Sequence, residues 1–155
     1  MSARRGFTLI EVLVVLSLSG VVLTIGMISF GGYFQRIAAQ RAAQVFAQDL
    51  TLARNSATRG RRPVVIRFYE TGLWYEVEVQ GTATDLAQRR FGVNADIDLS
   101  GVTLDFVGDS VVFDSRGIAD LSGASGLLGT ARFSSGAARY TVSFNSMGAS
   151  KIDRT

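Results

Sequence analysis

The side chains that could do chemistry in this sequence fall into three sets, and none resembles a catalytic triad. Histidine and cysteine are absent from the 155 residues, which removes the imidazole base, the thiolate nucleophile and the usual zinc ligands together. Carboxylates, hydroxyls and arginines remain. Glu11 is the first candidate: it lies inside an apolar stretch, RRGFTLIEVLVVLSLSG, where an ionised carboxylate without a partner is expensive. One turn into a helix it can also reach back to the lipid headgroups and need no partner. The second set is Arg59, Arg61 and Arg62. These either neutralise the carbonyl end of a helix or contact phosphates, joined by Arg132, Arg139, Lys151 and Arg154 if the fold gathers them. The third set is acidic: Asp96 with Asp98 and Asp105 with Asp109 offer oxygen ligands, but without the loop spacing of a calcium site. Gly123-Ala124-Ser125-Gly126 lacks the strand and helix of a nucleophile elbow, and no glycine cluster runs into Lys-Ser or Lys-Thr as a phosphate loop does. No enzyme, cofactor or metal is therefore expected. A membrane-anchored hydrolase is the least favoured reading, to be revived only by turnover from the domain that starts at Arg36.

The elements that carry these residues follow from charge and periodicity. From Val12 to Gln35 there are 24 residues without a charge, enough at about 1.5 Å each to cross a hydrocarbon core of about 30 Å as a helix. Between Gly31 and Arg62 six arginines face one acid, Asp49, for a net of +5; from Pro63 onward eight basic residues face eleven acidic ones, a net of −3. The overall +3 therefore does not describe the exposed part, and charge alone argues weakly for nucleic acid. Phe46, Leu50, Ala53 and Ala57 recur at helical steps, while Arg41, Gln44, Gln48, Thr51, Asn55 and Arg59 form a polar stripe. The spacing predicts one helix from Phe7 to about Arg59, roughly 80 Å long, capped by Gly60 and stopped before Pro63. Gly26, Gly31 and Gly32 mark either a kinked or melted turn or a close helix contact in lipid.

Beyond Pro63 the period becomes two. Val64, Ile66 and Phe68 share one face, as do Leu73, Tyr75, Val77 and Val79 opposite Trp74, Glu76 and Glu78, with Glu70-Thr71-Gly72 as the turn between them. Val102–Val107, Ser110–Asp114, Ala131–Ser134 and Arg139–Asn145 are further predicted strands. Turns are expected at Gly108-Asp109 and Ser115-Arg116-Gly117, and a loop from Leu121 to Gly129. The expected fold is α+β: a long N-terminal helix, transmembrane and then amphipathic, packed on an antiparallel β-sheet domain.

The N-terminus is not an ordinary secretory signal, because its one cleavage-like small residue, Gly6, precedes the apolar run instead of following it. Gly6 followed by Phe7-Thr8-Leu9-Ile10-Glu11 resembles the class III prepilin leader of type IV pilins and of the pseudopilins of type II secretion. That resemblance implies a membrane peptidase that cuts after Gly6 and methylates the amine of Phe7. It also implies that Glu11 pairs with the Phe7 amine of a neighbouring subunit and so sets filament register. Gln48-Asp49-Leu50, Ala53-Arg54-Asn55-Ser56-Ala57 and Arg61-Arg62-Pro63-Val64 resemble the helix-to-strand signature of H-type minor pseudopilins and T-type fimbrial minor pilins. Val111 to Gly117, and Tyr140 to Ser143 with Gly148, resemble their later strands. Ala149 stands where such proteins commonly carry an arginine.

The resemblance implies four segments: a leader over 1–6, a transmembrane and filament-core helix over 7–35, an amphipathic half over 36–60, and a periplasmic β domain over 61–155. The protein is expected to be a single-pass subunit of the bacterial inner membrane, facing the periplasm by the positive-inside tendency of Arg4 and Arg5. Arg36 and Arg41 on the other flank oppose that tendency. Its expected partners are membrane lipid, the prepilin peptidase, an inner-membrane assembly platform and other pilins or pseudopilins. The favoured function is that of a minor pseudopilin in a type II secretion pseudopilus. The alternative is a minor pilin of a type IV pilus, where DNA contacts at Arg59, Arg61, Arg62 and Lys151 are conceivable but not favoured. Aromatic interleaving for stacking on single strands is absent.

Overall fold

A computed structural model describes residues 7–69, 73–82, 85–92, 95, 97–106, 109–121, 124 and 126–155, with 27–29 as backbone only. One helix, α1 (Leu9–Gly60), precedes nine strands: β1 (Val64–Tyr69), β2 (Trp74–Val79), β3 (Asp85–Arg90), β4 (Gly101–Leu104), β5 (Ser110–Phe113), β6 (Ala119–Asp120), β7 (Gly129–Ser135), β8 (Ala138–Phe144) and β9 (Ser150–Arg154). They form two sheets, ordered β3-β2-β1-β5-β6 and β4-β7-β8-β9. Every named pairing is antiparallel. This is the α+β arrangement the sequence predicts. The chain divides into two compact units at Phe34 and Gln35.

In the first unit the apolar side chains point outward: Leu9, Val15, Leu16, Leu23 and Phe34 are all exposed. The 18-residue apolar window has none of its surface buried. Three of its hydroxyls are satisfied within the helix itself. The hydroxyls of Ser17, Ser19 and Thr24 donate to the carbonyls of Leu13, Val15 and Gly20 at 2.9, 2.7 and 2.8 Å, as a helix in lipid requires. α1 is helical through Gly26, Gly31 and Gly32, so no turn is melted there. About 1 kcal/mol of lost propensity per glycine is outweighed where lipid offers the backbone no other hydrogen-bond partner.

In the second unit the other half of α1 is the centre of the core. Ala39, Ala42, Ala43, Phe46, Leu50, Ala53 and Ala57 are fully buried, whereas all six residues of the expected polar stripe are exposed. Small residues at most of these steps let the sheets come close, and Phe46 fills the space between them. Its ring lies 5.4 to 6.0 Å from those of Phe68 and Tyr75 in the first sheet and of Phe133 and Phe144 in the second. The predicted faces of β1 and β2 are those observed, with Val64, Ile66, Tyr75 and Val77 fully buried. Val65, on the opposite face of β1, is buried as well because β1 is a central strand, flanked there by Glu78 and Val112.

The structure corrects several boundaries. β4 ends at Leu104, short of the expected Val107. Residues 80 to 100, without an assigned element in the sequence, contain β3 and a parallel bridge between Phe91 and Ile97. The Glu70-Thr71-Gly72 turn and Gly108 lie outside the described residues. Gly117 is the left-handed residue of the 115–117 turn (φ 78°), and a Cβ there would lie 2.7 Å from Thr58 on α1. The helix cap also moves: Gly60 stays helical and the left-handed residue is Arg61, φ 49°. A non-glycine residue in that conformation costs about 1 kcal/mol. Arg61→Gly is therefore expected to raise stability slightly, by at most about 1 kcal/mol after the entropy of a more flexible unfolded chain is subtracted. A lowered melting temperature would contradict the assignment of the cap.

Candidate functional site

At the N-terminal end, Gly6 lies outside the described residues, and Phe7 is the first residue of the described chain, 82 % exposed. Thr8 caps the helix, its Oγ1 accepting the amide hydrogen of Glu11 at 3.3 Å. This is one half of the Thr-x-x-Glu capping box. An acid in the first turn also complements the helix dipole. The Thr8 hydroxyl bonds the backbone of Glu11 and not its carboxylate. Among the described residues the Glu11 carboxylate has no hydrogen bond or ion pair, and it stands among exposed apolar side chains. The arrangement is an apolar helix with one acid in its first turn that has no partner among the described residues.

The basic candidates do not form one patch. Arg59, Arg61 and Arg62 are exposed at the junction of α1 with β1 in the first sheet. Lys151 lies on β9, the edge strand of the second sheet, and pairs with Asp153 at 2.8 Å. Alternation along the strands puts Arg132 and Arg139 on the same outward face as Lys151, while Arg154 pairs with Tyr140 at the other parity. Three cations at a helix end with exposed carbonyls suit that end electrostatically. Ala149, at the position of the family's arginine, is fixed through its backbone: its amide donates to Asn145 Oδ1 at 3.0 Å in the β8–β9 turn.

The group that sequence reasoning missed is an ion pair with a buried acid and a half-exposed cation. Asp49 is only 2 % exposed. Its Oδ2 accepts the Tyr75 hydroxyl at 2.8 Å and Arg89 Nε at 2.9 Å, and its Oδ1 accepts Arg89 Nη2 at 3.0 Å. Tyr75 and Arg89 are direct cross-strand neighbours on β2 and β3, so two strands present three donors to one helical carboxylate. The hydrogen bond to Asp49 holds the Arg89 guanidinium above its ordinary range. Burial, followed by the Asp49 charge, pushes the Tyr75 phenol far above its own. The signal was present in the sequence: Asp49 sits three residues after Phe46 and four before Ala53, on the apolar face. An acid there needs a cation.

Among the described residues no group of three or more His, Cys, Asp or Glu side chains is arranged to hold a metal. Residues 1–27 match the prokaryotic N-terminal methylation motif, and residues 42–148 match type II transport protein GspH. No curated protein matches the chain. Among solved structures it is similar to the type IV minor pilin FimU of Pseudomonas aeruginosa in two crystal forms. Identity is 18 % in both; the first covers 78 % of this chain and 92 % of that one with a TM-score of 0.56, the second 74 % and 91 % with 0.52. The minor pseudopilin EpsH from the type 2 secretion system of Vibrio cholerae is 17 % identical over 75 % of this chain and 96 % of its own, with a TM-score of 0.49. At 18 % identity the FimU likeness shows the fold alone.

Proposed function

The chain belongs to the type II transport protein GspH family, and on that premise we propose that it is a minor pseudopilin, a structural subunit of a pseudopilus that exports folded proteins. The observation that carries this reading is the division of α1: an exposed apolar half begins at the methylation motif, and a buried half forms the core of the β domain. Such a helix is suited to move from lipid into a bundle of like helices, exchanging one apolar environment for another. A prepilin peptidase cuts after Gly6 and methylates Phe7. The subunit then waits in the inner membrane with its β domain in the periplasm, until an assembly platform extracts it into the filament.

Glu11 sets the register of that extraction. Its carboxylate has no partner among the described residues; in the bundle the amine of a neighbouring Phe7 neutralises it. Glu11→Ala is expected to leave processing and the folded β domain unchanged while filament incorporation falls at least tenfold. Mass spectrometry of the N-methylated Phe7 terminus and co-purification with sheared filaments measure the two steps separately. Normal incorporation of the alanine chain would sink the pairing role, and an intact Met1 terminus would sink the processing.

A second reading, a minor pilin of a type IV pilus, is compatible with the fold shared with FimU. Duplex DNA binding with a log-log salt slope of about −0.9 per phosphate, reduced by Arg61→Gln with Arg62→Gln, would support it. The separation of Lys151 from the helix-end arginines and the net −3 of residues 63–155 weigh against it.

A further inference from the structure

Residues 114–118 and 145–149 form the same turn twice, once in each sheet. Between β5 and β6, Asp114 Oδ1 accepts the amides of Arg116 and Ile118 at 2.9 Å each; between β8 and β9, Asn145 Oδ1 accepts those of Met147 and Ala149 at 3.0 Å each. The backbone bonds match too. Gly117 and Gly148 donate to the carbonyls of Asp114 and Asn145 at 2.8 and 2.9 Å, and the amides of Asp114 and Asn145 donate to Ile118 and Ala149 at 2.9 and 3.1 Å. The amide of Ala119 donates to the Ser146 carbonyl at 2.7 Å and joins the two turns. Gly117 and Gly148 both have positive φ, 78° and 73°, and one side chain of α1 lies against both: a Cβ on Gly117 would come within 3.0 Å of Arg54 Cγ, and one on Gly148 within 3.4 Å of Arg54 Cδ. The stem of Arg54 is seated between the twin turns, and all of these residues belong to the compact unit that begins at Gln35.

The head of that side chain is uncommitted. Among the described residues the Arg54 guanidinium has no carboxylate partner and no hydrogen bond, and no buried side-chain nitrogen lacks a partner, so its N–H fork opens to solvent. Its surroundings define what it can take. No acid occurs from residue 50 to residue 69, and the exposed Arg59, Arg61 and Arg62 follow directly on Thr58, which lies against Gly117. Asp114, the one acid in either turn, is held by Arg116 at 2.8 Å. This end of the domain is therefore cationic and complements an anion. Ile118 and Met147, each next in sequence to a partner of the bond that joins the turns, are exposed apolar side chains. Methionine and arginine are enriched at protein–protein contacts, whereas a nucleic-acid backbone is met by polar and charged groups. We propose that the twin turns dock a neighbouring filament subunit, whose aspartate or glutamate takes the fork of Arg54 while Ile118 and Met147 are covered by the apolar side chains beside that acid. This rests on the reading of the chain as a filament subunit.

A photo-cross-linking residue in place of Met147, carried by the full chain in cells that assemble the filament, should join it to a second pilin-like subunit beside an acidic residue, located by mass spectrometry of the joined peptide. Arg54→Met keeps a stem over both glycines and removes the fork. It should lower the amount of chain in sheared filaments about tenfold, the loss of one charge-assisted contact, with the protease resistance of the β domain unchanged. Arg54→Lys should lose less. Arg54→Glu should fail as Arg54→Met does and recover when the cross-linked acid of the neighbour is replaced by arginine. Parental incorporation of Arg54→Met, a charge exchange that restores nothing, or a cross-link found only to nucleic acid or lipid would overturn the proposal. Should Arg54→Met lose its protease resistance, the Met147 cross-link, made with Arg54 in place, decides alone. A parent chain absent from sheared filaments refutes the filament reading and this contact with it, whereas a parent that is incorporated yet cross-links to no acidic segment refutes the contact alone.

Discussion

Asp49→Ala is expected to destabilise the β domain by about 2–3 kcal/mol, because it leaves the buried Tyr75 hydroxyl with no acceptor and the half-exposed Arg89 charge with only water as a partner. Against a total of about 5–15 kcal/mol for a domain of this size, that is enough to deplete the folded subunit in cells. Asp49→Asn should cost less, since an amide oxygen still accepts one or two of the three bonds. The energetics of buried acids give a sharper test. Replacing all three polar partners by apolar residues of similar volume, Asp49→Leu with Tyr75→Phe and Arg89→Met, should recover most of the loss, because neither a buried charge nor an unpaired buried hydroxyl then remains. Recovery of less than about 1 kcal/mol would mean that the pair fixes geometry beyond its charge balance. Urea unfolding of the full chain in detergent measures all three variants. The raised Tyr75 phenol adds a dependence on pH with a definite sign. Its folded pKa lies above the unfolded value near 10, so its contribution is complete below about pH 10 and is lost as the pH rises beyond that. In alkaline titration Tyr75 should ionise only as the domain unfolds, unlike an exposed phenol.

What could be read in advance followed from periodicity. The apolar faces of β1 and β2 and the polar stripe of α1 from Arg41 to Arg59 stood as a period of two and a period near 3.6, and burial confirms each. β3 was not legible, because DLAQRR alternates poorly: as an edge strand it has a neighbour on one side only, and Arg89 points inward to Asp49 instead of being apolar. β6 is two residues long, too short for any pattern. The cap at Arg61 was hidden because Gly60 beside it is the residue type that normally fills a left-handed position. Asp49 was counted as a charge and not as a face. Its three donors come from positions 26 and 40 residues away, and only the fold brings them together. The Glu11 end rests on different grounds, since its meaning comes from the resemblance of the leader and the structure adds that its carboxylate has no partner among the described residues.

Phe46→Ala should match or exceed Asp49→Ala in stability lost while leaving every step that depends on the membrane helix untouched. Phe46 is fully buried and touches two rings from each sheet, so truncation opens a cavity at the point where α1 and both sheets meet. A Phe→Ala change in a core costs about 3–5 kcal/mol, and the lost edge-to-face contacts, each about 0.5–1.5 kcal/mol and not additive, push the value toward the upper end. Backbone hydrogen bonds within each sheet are not affected, so the failure is one of docking between layers. The charge-free run from Val12 to Gln35 lies outside this contact. The variant should therefore still insert, be cut after Gly6 and be methylated at Phe7, yet its β domain should be digested by protease at concentrations the parent resists. That pattern is the opposite of Glu11→Ala, in which the domain resists protease and assembly alone fails. Phe46→Leu, which restores most of the volume, should recover more than half of the lost stability. A Phe46→Ala domain that unfolds within about 1 kcal/mol of the parent would show that the sheets hold each other without the helix, and the buried half of α1 would then be a tether instead of a core.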